Sequence, residues 1–330
     1  MKKIVASLIA VTILVSGCGL FKKSPQETVD KAFQKFADVK KMASLLDFKG
    51  TVQSPAGEQP AKIDFAVKVE GSSDVSDAKS PKLDMKFTIN GTADAEGGSA
   101  EVMLRTVDKK IFVNVASLKL AGGLGAQLND QLAALFNKWW SLPMGEGNPL
   151  GNLTEQQTQL QEKFKSLKFF TNAVEDAPEV LQGIETTRYR VDLSKEALKQ
   201  FILDLAQSSG NQLTPEDSQA ISDSLNDVEF SGAVWVGNSD DTLHRIRGTV
   251  TVQPKQGPAS SFDIDYTGWN FGKDVAVQIP EGAQEFNPLM LGILLGGLSG
   301  MGAEATPEAV PALPGAAVDS PLGASQVKKK

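Results

Sequence analysis

The chain carries one cysteine, Cys18, and one histidine, His244, so the side chains most used for nucleophilic and metal chemistry occur once each. A single histidine excludes every metal site that needs two. A single cysteine excludes an intrachain disulfide framework and any Cys-rich zinc or iron–sulfur site. A serine nucleophile on a strand–turn–helix elbow would need Gly-x-Ser-x-Gly, which is absent from the sequence. His244 follows the polar turn Asn238-Ser239-Asp240-Asp241 and sits beside Arg245 in an alternating apolar and polar run, so it reads as a strand histidine, not a base. The acid pairs Asp240–Asp241 and Asp74 with Asp77 lie in Ser/Asn/Gly-rich loops, where Asp favours turns by bonding nearby backbone. No stretch spaces its oxygen ligands as a calcium loop does, and no carboxylate pair stands out for glycoside hydrolysis. Gly122-Gly123-Leu124-Gly125 lacks the lysine of a phosphate loop and the third glycine of a dinucleotide turn. The expectation is a protein that is not an enzyme and holds no cofactor or metal.

The Cys18 thiol has a context of its own. Lys2 and Lys3 precede an apolar stretch from Ile4 to Val15. That stretch is too short for a hydrocarbon core that needs roughly 20 helical residues, and it has the form of a secretory h-region. Val15-Ser16-Gly17-Cys18 resembles the bacterial lipobox, whose cysteine accepts a diacylglyceryl group on sulfur. Residues 1–17 are then a lipoprotein signal peptide, and Cys18 is the acylated N-terminus of the exported chain. At about 0.8 kcal/mol per buried CH₂, two or three acyl chains make a lasting anchor. The expected location is the outer face of the cell membrane, or the outer membrane if the cell has two; Gly19 after the cysteine resembles the default for that second destination. The formal charge of −7, with a pI near 5.0, becomes −9 when Lys2 and Lys3 leave. Nucleic acid is therefore not a partner, and the lipid rather than surface charge must hold the chain to a membrane.

Gly19 to Lys23 leaves a tether of at most about 18 Å. Ser24-Pro25-Gln26-Glu27 then reads as a helix start with an N-cap, a first-turn proline and a capping box. Val29, Phe33, Phe36, Val39 and Met42 recur every three or four residues as one apolar stripe. Period-two alternation follows. Ile63, Phe65, Val67 and Val69 share one face, Leu83, Met85, Phe87 and Ile89 the next, and Glu101–Val107 and Ile111–Val115 meet at a tight turn, Asp108-Lys109. The pattern returns over Val228–Val236, Leu243–Val252 and Phe262–Tyr266. Between the two regions the spacing predicts helices over Gln127–Lys138 and Thr154–Leu167, a third capped by Ser194, and a fourth opening at Thr214-Pro215-Glu216-Asp217. Seven or more one-sided strands with amphipathic helices to cover them imply an α+β fold: a curved antiparallel β-sheet, a half-barrel, wrapped around amphipathic helices. One domain is expected over residues 25–285, with a helical insertion at about 120–226. A Gly/Leu-rich apolar segment (286–302) follows, then an Ala/Pro/Gly-rich tail (303–330) too poor in apolar bulk to order itself.

Several stretches resemble a known group. Gly183 to Leu193, a strand bearing Tyr189, leads through Ser194 into Lys195-Glu196-Ala197-Leu198; Trp139-Trp140-Ser141-Leu142 looks like a short tryptophan strand. Ala233-Val234-Trp235-Val236, and Tyr266 to Lys273 running on to Ile279-Pro280, look like closing strands. In that order, over roughly residues 26–285, they resemble the mycobacterial lipid-carrier lipoproteins, which share the half-barrel of the periplasmic lipoprotein carriers. The resemblance implies a lipid or other apolar ligand held, and possibly transferred, between sheet and helices, with the membrane met through acylated Cys18. Candidate lining residues are Phe33, Phe36, Phe65, Val67, Met85, Phe87 and Trp139. The alternative is a protein-binding or structural envelope module on the same fold with a filled interior and no ligand.

Overall fold

The computed structural model describes residues 23–53, 62–77, 79–93, 96–120, 129, 132–144, 165–208, 213–254 and 258–286. The leader, Cys18, Gly122–Gly125, most of the helix expected from Thr154, the segment from Pro288 to Gly302 and the tail lie outside the described residues.

Helix α1 (Pro25–Ala37) starts as the sequence predicts. The Glu27 amide donates to Ser24 Oγ at 3.2 Å, and the Ser24 amide donates to the Glu27 carboxylate at 2.9 Å. Such a cap is worth about 1 kcal/mol. The helix stops sooner than its apolar stripe suggests. The Asp38 amide closes back on Lys35, and Met42 belongs instead to strand β1 (Lys41–Gln53), where it stands opposite Ser73. A long ladder of paired residues outweighs one more helical turn.

Four strands follow, β2 (Lys62–Asp74), β3 (Lys82–Ala93), β4 (Glu96–Val107) and β5 (Lys110–Lys119). Asp108 and Lys109, both at positive φ (52° and 58°), make the two-residue turn between β4 and β5 whose twist matches its strands. Then come β6 (Trp139–Pro143), β7 (Phe170–Leu181), β8 (Ile184–Leu193), helices α2 (Lys195–Ser208) and α3 (Pro215–Asn226), β9 (Val228–Gly237), β10 (Leu243–Val252), β11 (Ser260–Trp269) and the two-residue β12 (Gln284–Glu285). Three of these strands, β6 to β8, fall in the region expected as a helical insertion. Of the helix expected at Gln127–Lys138, the described part is α-helical at Asn129 and Leu132 and ends in a 3₁₀ turn, Ala133–Leu135.

Among the described residues the strands form one twelve-stranded sheet in the order β12-β6-β5-β4-β3-β2-β1-β11-β10-β9-β8-β7. Every neighbouring pair is antiparallel except β12 with β6. Two meanders, β1 to β6 and β7 to β11, join where β1 pairs with β11 from Ala43–Trp269 to Thr51–Ser261. The sheet is curved and unclosed. Its β7 edge carries Pro178, acidic side chains and register shifts, which guard an edge against stray pairing.

The core lies on the inner face at the β7–β11 end. Val29, Ala32 and Phe33 of α1 pack with Phe169, Phe170, Tyr189, Val191, Val234, Val236 and Leu243. Ala197 of α2 joins them, and Phe201 lies edge-on to Phe169 at 5.5 Å. No described helix is long and apolar enough to cross a membrane.

Candidate functional site

Antiparallel register sets the inner face in rows. One row runs Tyr266–Leu46–Val69–Phe87–Val102 from β11 to β4, and the next Ile264–Phe48–Val67–Ile89–Ala100. Beyond it come Phe262, Gly50, Phe65 and Gly91. On the other side of the first row stand Ser44, Gly71, Met85, Leu104, Val113 and Trp140. Phe48 lies 5.5 Å from Phe65 and stacks on Phe262 at 6.1 Å. This cluster requires Gly50, because a Cβ there would come within 2.6 Å of Phe262 and 2.7 Å of Phe65.

Phe65, Val67, Met85 and Phe87 therefore stand together on one apolar wall. Phe33 and Phe36 approach that wall from α1, with different parts to play. Phe33 is 5% exposed and locked between Phe169 and Phe170, so it supports the core. Phe36 reaches the wall itself, edge-on to Tyr266 at 5.6 Å and to Phe271 at 6.5 Å. Trp139 is not on the wall. It pairs with Asn114 on the outer face, and the Arg105 guanidinium lies 5.0 Å over its ring. Its neighbour Trp140 takes the inner position, buried, with Nε1 donating to the Leu135 carbonyl at 3.1 Å and Phe286 edge-on at 6.1 Å. Adjacent strand residues must face opposite ways, so one of the two tryptophans had to turn outward. Leu46, Phe48 and Ile264 are wall residues that the sequence analysis did not single out; Leu45 beside Leu46 blunts the alternation in β1.

Coverage of the wall is uneven. The packing of α1 falls on β7, β9 and β10 and, through Phe36, on β11. Farther along, Phe65, Val67, Met85 and Phe87 are half-buried, while Ile63 and Ile89 are 41% and 44% exposed. The wall is also free of charge. Burial pushes the Tyr266 hydroxyl far above the usual phenol range, and that hydroxyl points at Met42 Sδ, 3.5 Å away. A groove of about 590 Å³ opens among the polar residues of the outer face, and one of about 380 Å³ runs over Lys49, Asp64, Asn90 and Asp263 and reaches Gly50, Phe65 and Gly91.

The polar cluster singled out in the sequence ties the N-terminal helix to the sheet. His244 is 2% exposed, with Nε2 2.9 Å from Asp240 Oδ2 and Nδ1 3.2 Å from the Gly268 carbonyl. Held at both ring nitrogens, the imidazole acts as a post between the β9–β10 turn and β11. Asp241 faces Lys31 at 2.9 Å, Lys23 at 3.2 Å and Lys35 at 3.5 Å. Hydrogen bonds from Lys31 and Lys23 pull its carboxyl pKa down to about 2. A depressed carboxylate contributes stability above its unfolded pKa and loses it as pH falls through the folded value. The Asp241 carboxyl resonance is therefore expected to titrate near pH 2, and near the ordinary value in a Lys23→Gln/Lys31→Gln variant. An unshifted midpoint in the parent chain would show that the clamp does not form. The pair is more than a third exposed, so solvent screening keeps its stability effect small, under about 1 kcal/mol. Asp74 and Asp77 accept from the amides of Ser76 and Lys79 at 3.0 Å, as turn residues do. Among the described residues no group of three or more His, Cys, Asp or Glu side chains is placed to hold a metal ion.

Fold and site together define an open, helix-backed antiparallel half-barrel with a neutral apolar inner wall. The chain is similar to LprF from Mycobacterium bovis, with a TM-score of 0.39 and 10% identity over 79% of this chain and 97% of that one. It is also similar to the Mycobacterium tuberculosis lipoprotein LppX, with a TM-score of 0.36 and 17% identity over 77% of this chain and 98% of that one. A DUF1329 family protein from Desulfovibrio piger is matched at a TM-score of 0.20 and 9% identity, over 76% and 93%. No family model and no curated protein matches the chain.

Proposed function

We propose that the chain is a membrane-anchored, non-enzymatic envelope lipoprotein, acylated at Cys18, that binds a lipid through its inner wall. The observation that carries the reading is the run of large apolar side chains on β2 and β3, half-buried and uncharged, on the face that α1 covers only at its far end. Apolar surface contributes about 25 cal/mol per Å² when it leaves water, so a contiguous wall of it favours an apolar occupant. An acyl chain laid along the Phe48–Phe65–Phe87 side would gain about 0.8 kcal/mol per methylene, without a directional contact. Such a site selects for chain length and shape, and it can release its ligand to a membrane that offers the same environment. Binding with transfer is therefore compatible with the wall, and the tether keeps the site at the membrane surface.

The test is native mass spectrometry of the full chain carrying Cys18→Ser, purified without detergent, followed by organic extraction. A reproducible lipid mass supports the reading and identifies the ligand. A clean apo mass that also refuses added phospholipid and fatty acid would sink it, leaving a protein-binding or structural module. The parent chain, recovered from membranes, should give an N-terminal peptide starting at Cys18 with diacylglyceryl on sulfur.

A further inference from the structure

On the outer face, away from the apolar wall and independent of it, strands β8, β9 and β10 bring four arginines into one patch. Register places Arg188, Trp235 and Arg245 directly across from one another, and Arg190, Ala233 and Arg247 two residues along. The guanidinium groups stand at the corners, with one indole and one methyl group between them, along the groove of about 590 Å³.

Elsewhere on this face cations sit close to acids. Lys62 lies 2.8 Å from Asp64, Lys68 2.9 Å from Glu70, Lys86 3.0 Å from Glu101, and Arg105 3.1 Å from Asp84. In the patch only Arg245 is bonded in this way, to both oxygens of Asp265 at 2.8 and 2.6 Å. The acids nearest the other three are Asp176, 3.7 Å from Arg188 and 3.9 Å from Arg190, and Asp265, 3.8 Å from Arg247. Those distances exceed hydrogen-bond range, and Arg188 Nε is buried with no partner among the described residues. Of the other acids along the groove, Glu179 accepts from the indole Nε1 at 2.6 Å, Asp263 accepts from Thr249 Oγ1 at 2.6 Å, and Asp47 pairs with Lys49 at 3.2 Å. The fixed indole spaces the cations: Arg188 and Arg245 lie 5.5 and 5.0 Å from its ring centre. Like charges on adjoining strands oppose folding, and a buried unbonded donor costs more. A sheet built for stability alone would alternate the signs here, as it does along β2.

We propose that this patch binds a phosphate group. Three unspent guanidinium forks offer more donors than the two oxygens of a carboxylate can accept. A tetrahedral phosphate presents a third and, when free, a fourth, and each edge of it matches a fork. Ala233 leaves the space between Arg190 and Arg247 open. The chemistry is the same for a free phosphate and for the phosphomonoester headgroup of phosphatidic acid, which keeps three terminal oxygens.

Isothermal titration of the full chain with sodium phosphate, and separately with monomeric dihexanoyl-phosphatidic acid, tests the assignment. Arg190 and Arg247 are 64% and 66% exposed and make no hydrogen bond among the described residues, so Arg190→Gln/Arg247→Gln should keep the fold, as a melting curve would show. Saturable binding with Kd about 1 mM or tighter is expected, weakened about tenfold or more in that variant and unchanged in Lys68→Gln. A phosphatidic acid affinity about tenfold above that of phosphate, lost in the same variant, assigns the site to a headgroup; equal affinities assign it to a free phosphate. If the double variant melts early, Arg247→Gln alone carries the comparison. No saturable binding of either probe, or binding that survives the arginine substitutions, overturns the proposal.

Discussion

Phe87→Glu is expected to purify with at least about tenfold less bound lipid than the parent chain. Phe87 stands between Val69 and Val102 in the middle of the apolar wall. A carboxylate there must either stay hydrated, which keeps an acyl chain off the wall, or lose its water at a cost of several kcal/mol. The side chain is only half-buried, so the fold should tolerate the change better than it would one in the core. Asn90→Glu, on the outer face of the same strand, supplies the matching control: it adds the same charge and should leave the lipid load unchanged. Equal lipid in both variants would mean that the ligand sits elsewhere. Equal loss in both would mean that acidity at large, not the wall, governs loading.

Phe33→Ala is expected to destabilise the chain by about 3–5 kcal/mol, measured as the shift in urea midpoint at constant slope. Phe33 is buried against Phe169 at 5.4 Å and Phe170 at 5.8 Å, so its truncation opens a cavity between the two rings. Phe36→Ala removes a side chain that is only half-buried, so its cost should be smaller, about 1–3 kcal/mol. The size of the first effect matters for function. Helix α1 would then be part of the same cooperative core as β7 to β10, and a force applied at Ser24 would be felt by the wall. A loss below about 1 kcal/mol for Phe33→Ala would show that α1 is an appendage that can detach.

Much of the local structure was legible because it depends on neighbours in sequence. The capping box at Ser24 and Glu27, the cap at Thr214 and the turn at Asp108-Lys109 each involve residues within four positions. Alternation in β2 and β3 put Phe65, Val67, Met85 and Phe87 on one face before any contact was known, because the side-chain period of a strand is two. What failed was equally local in cause. The stripe through Val39 and Met42 promised more helix than forms, since spacing alone cannot weigh a helical turn against pairing with a distant strand. Strand β7, with its proline, acids and register shifts, has no clean period to read.

The sequence by itself determined the kinds of side chain available: one thiol in a lipobox-like setting, one histidine after a polar turn, and strands with a single apolar face. Only the tertiary structure decided which residues share a surface. Joining β1 to β11 makes one wall out of strands some 200 residues apart, and choosing the inner face sends Trp140 in and Trp139 out. Laying β9 between β8 and β10 turns two unremarkable Arg-x-Arg pairs into a patch of four. Strand order is set by the burial and pairing of the whole sheet, a sum over long-range contacts that no window of sequence contains.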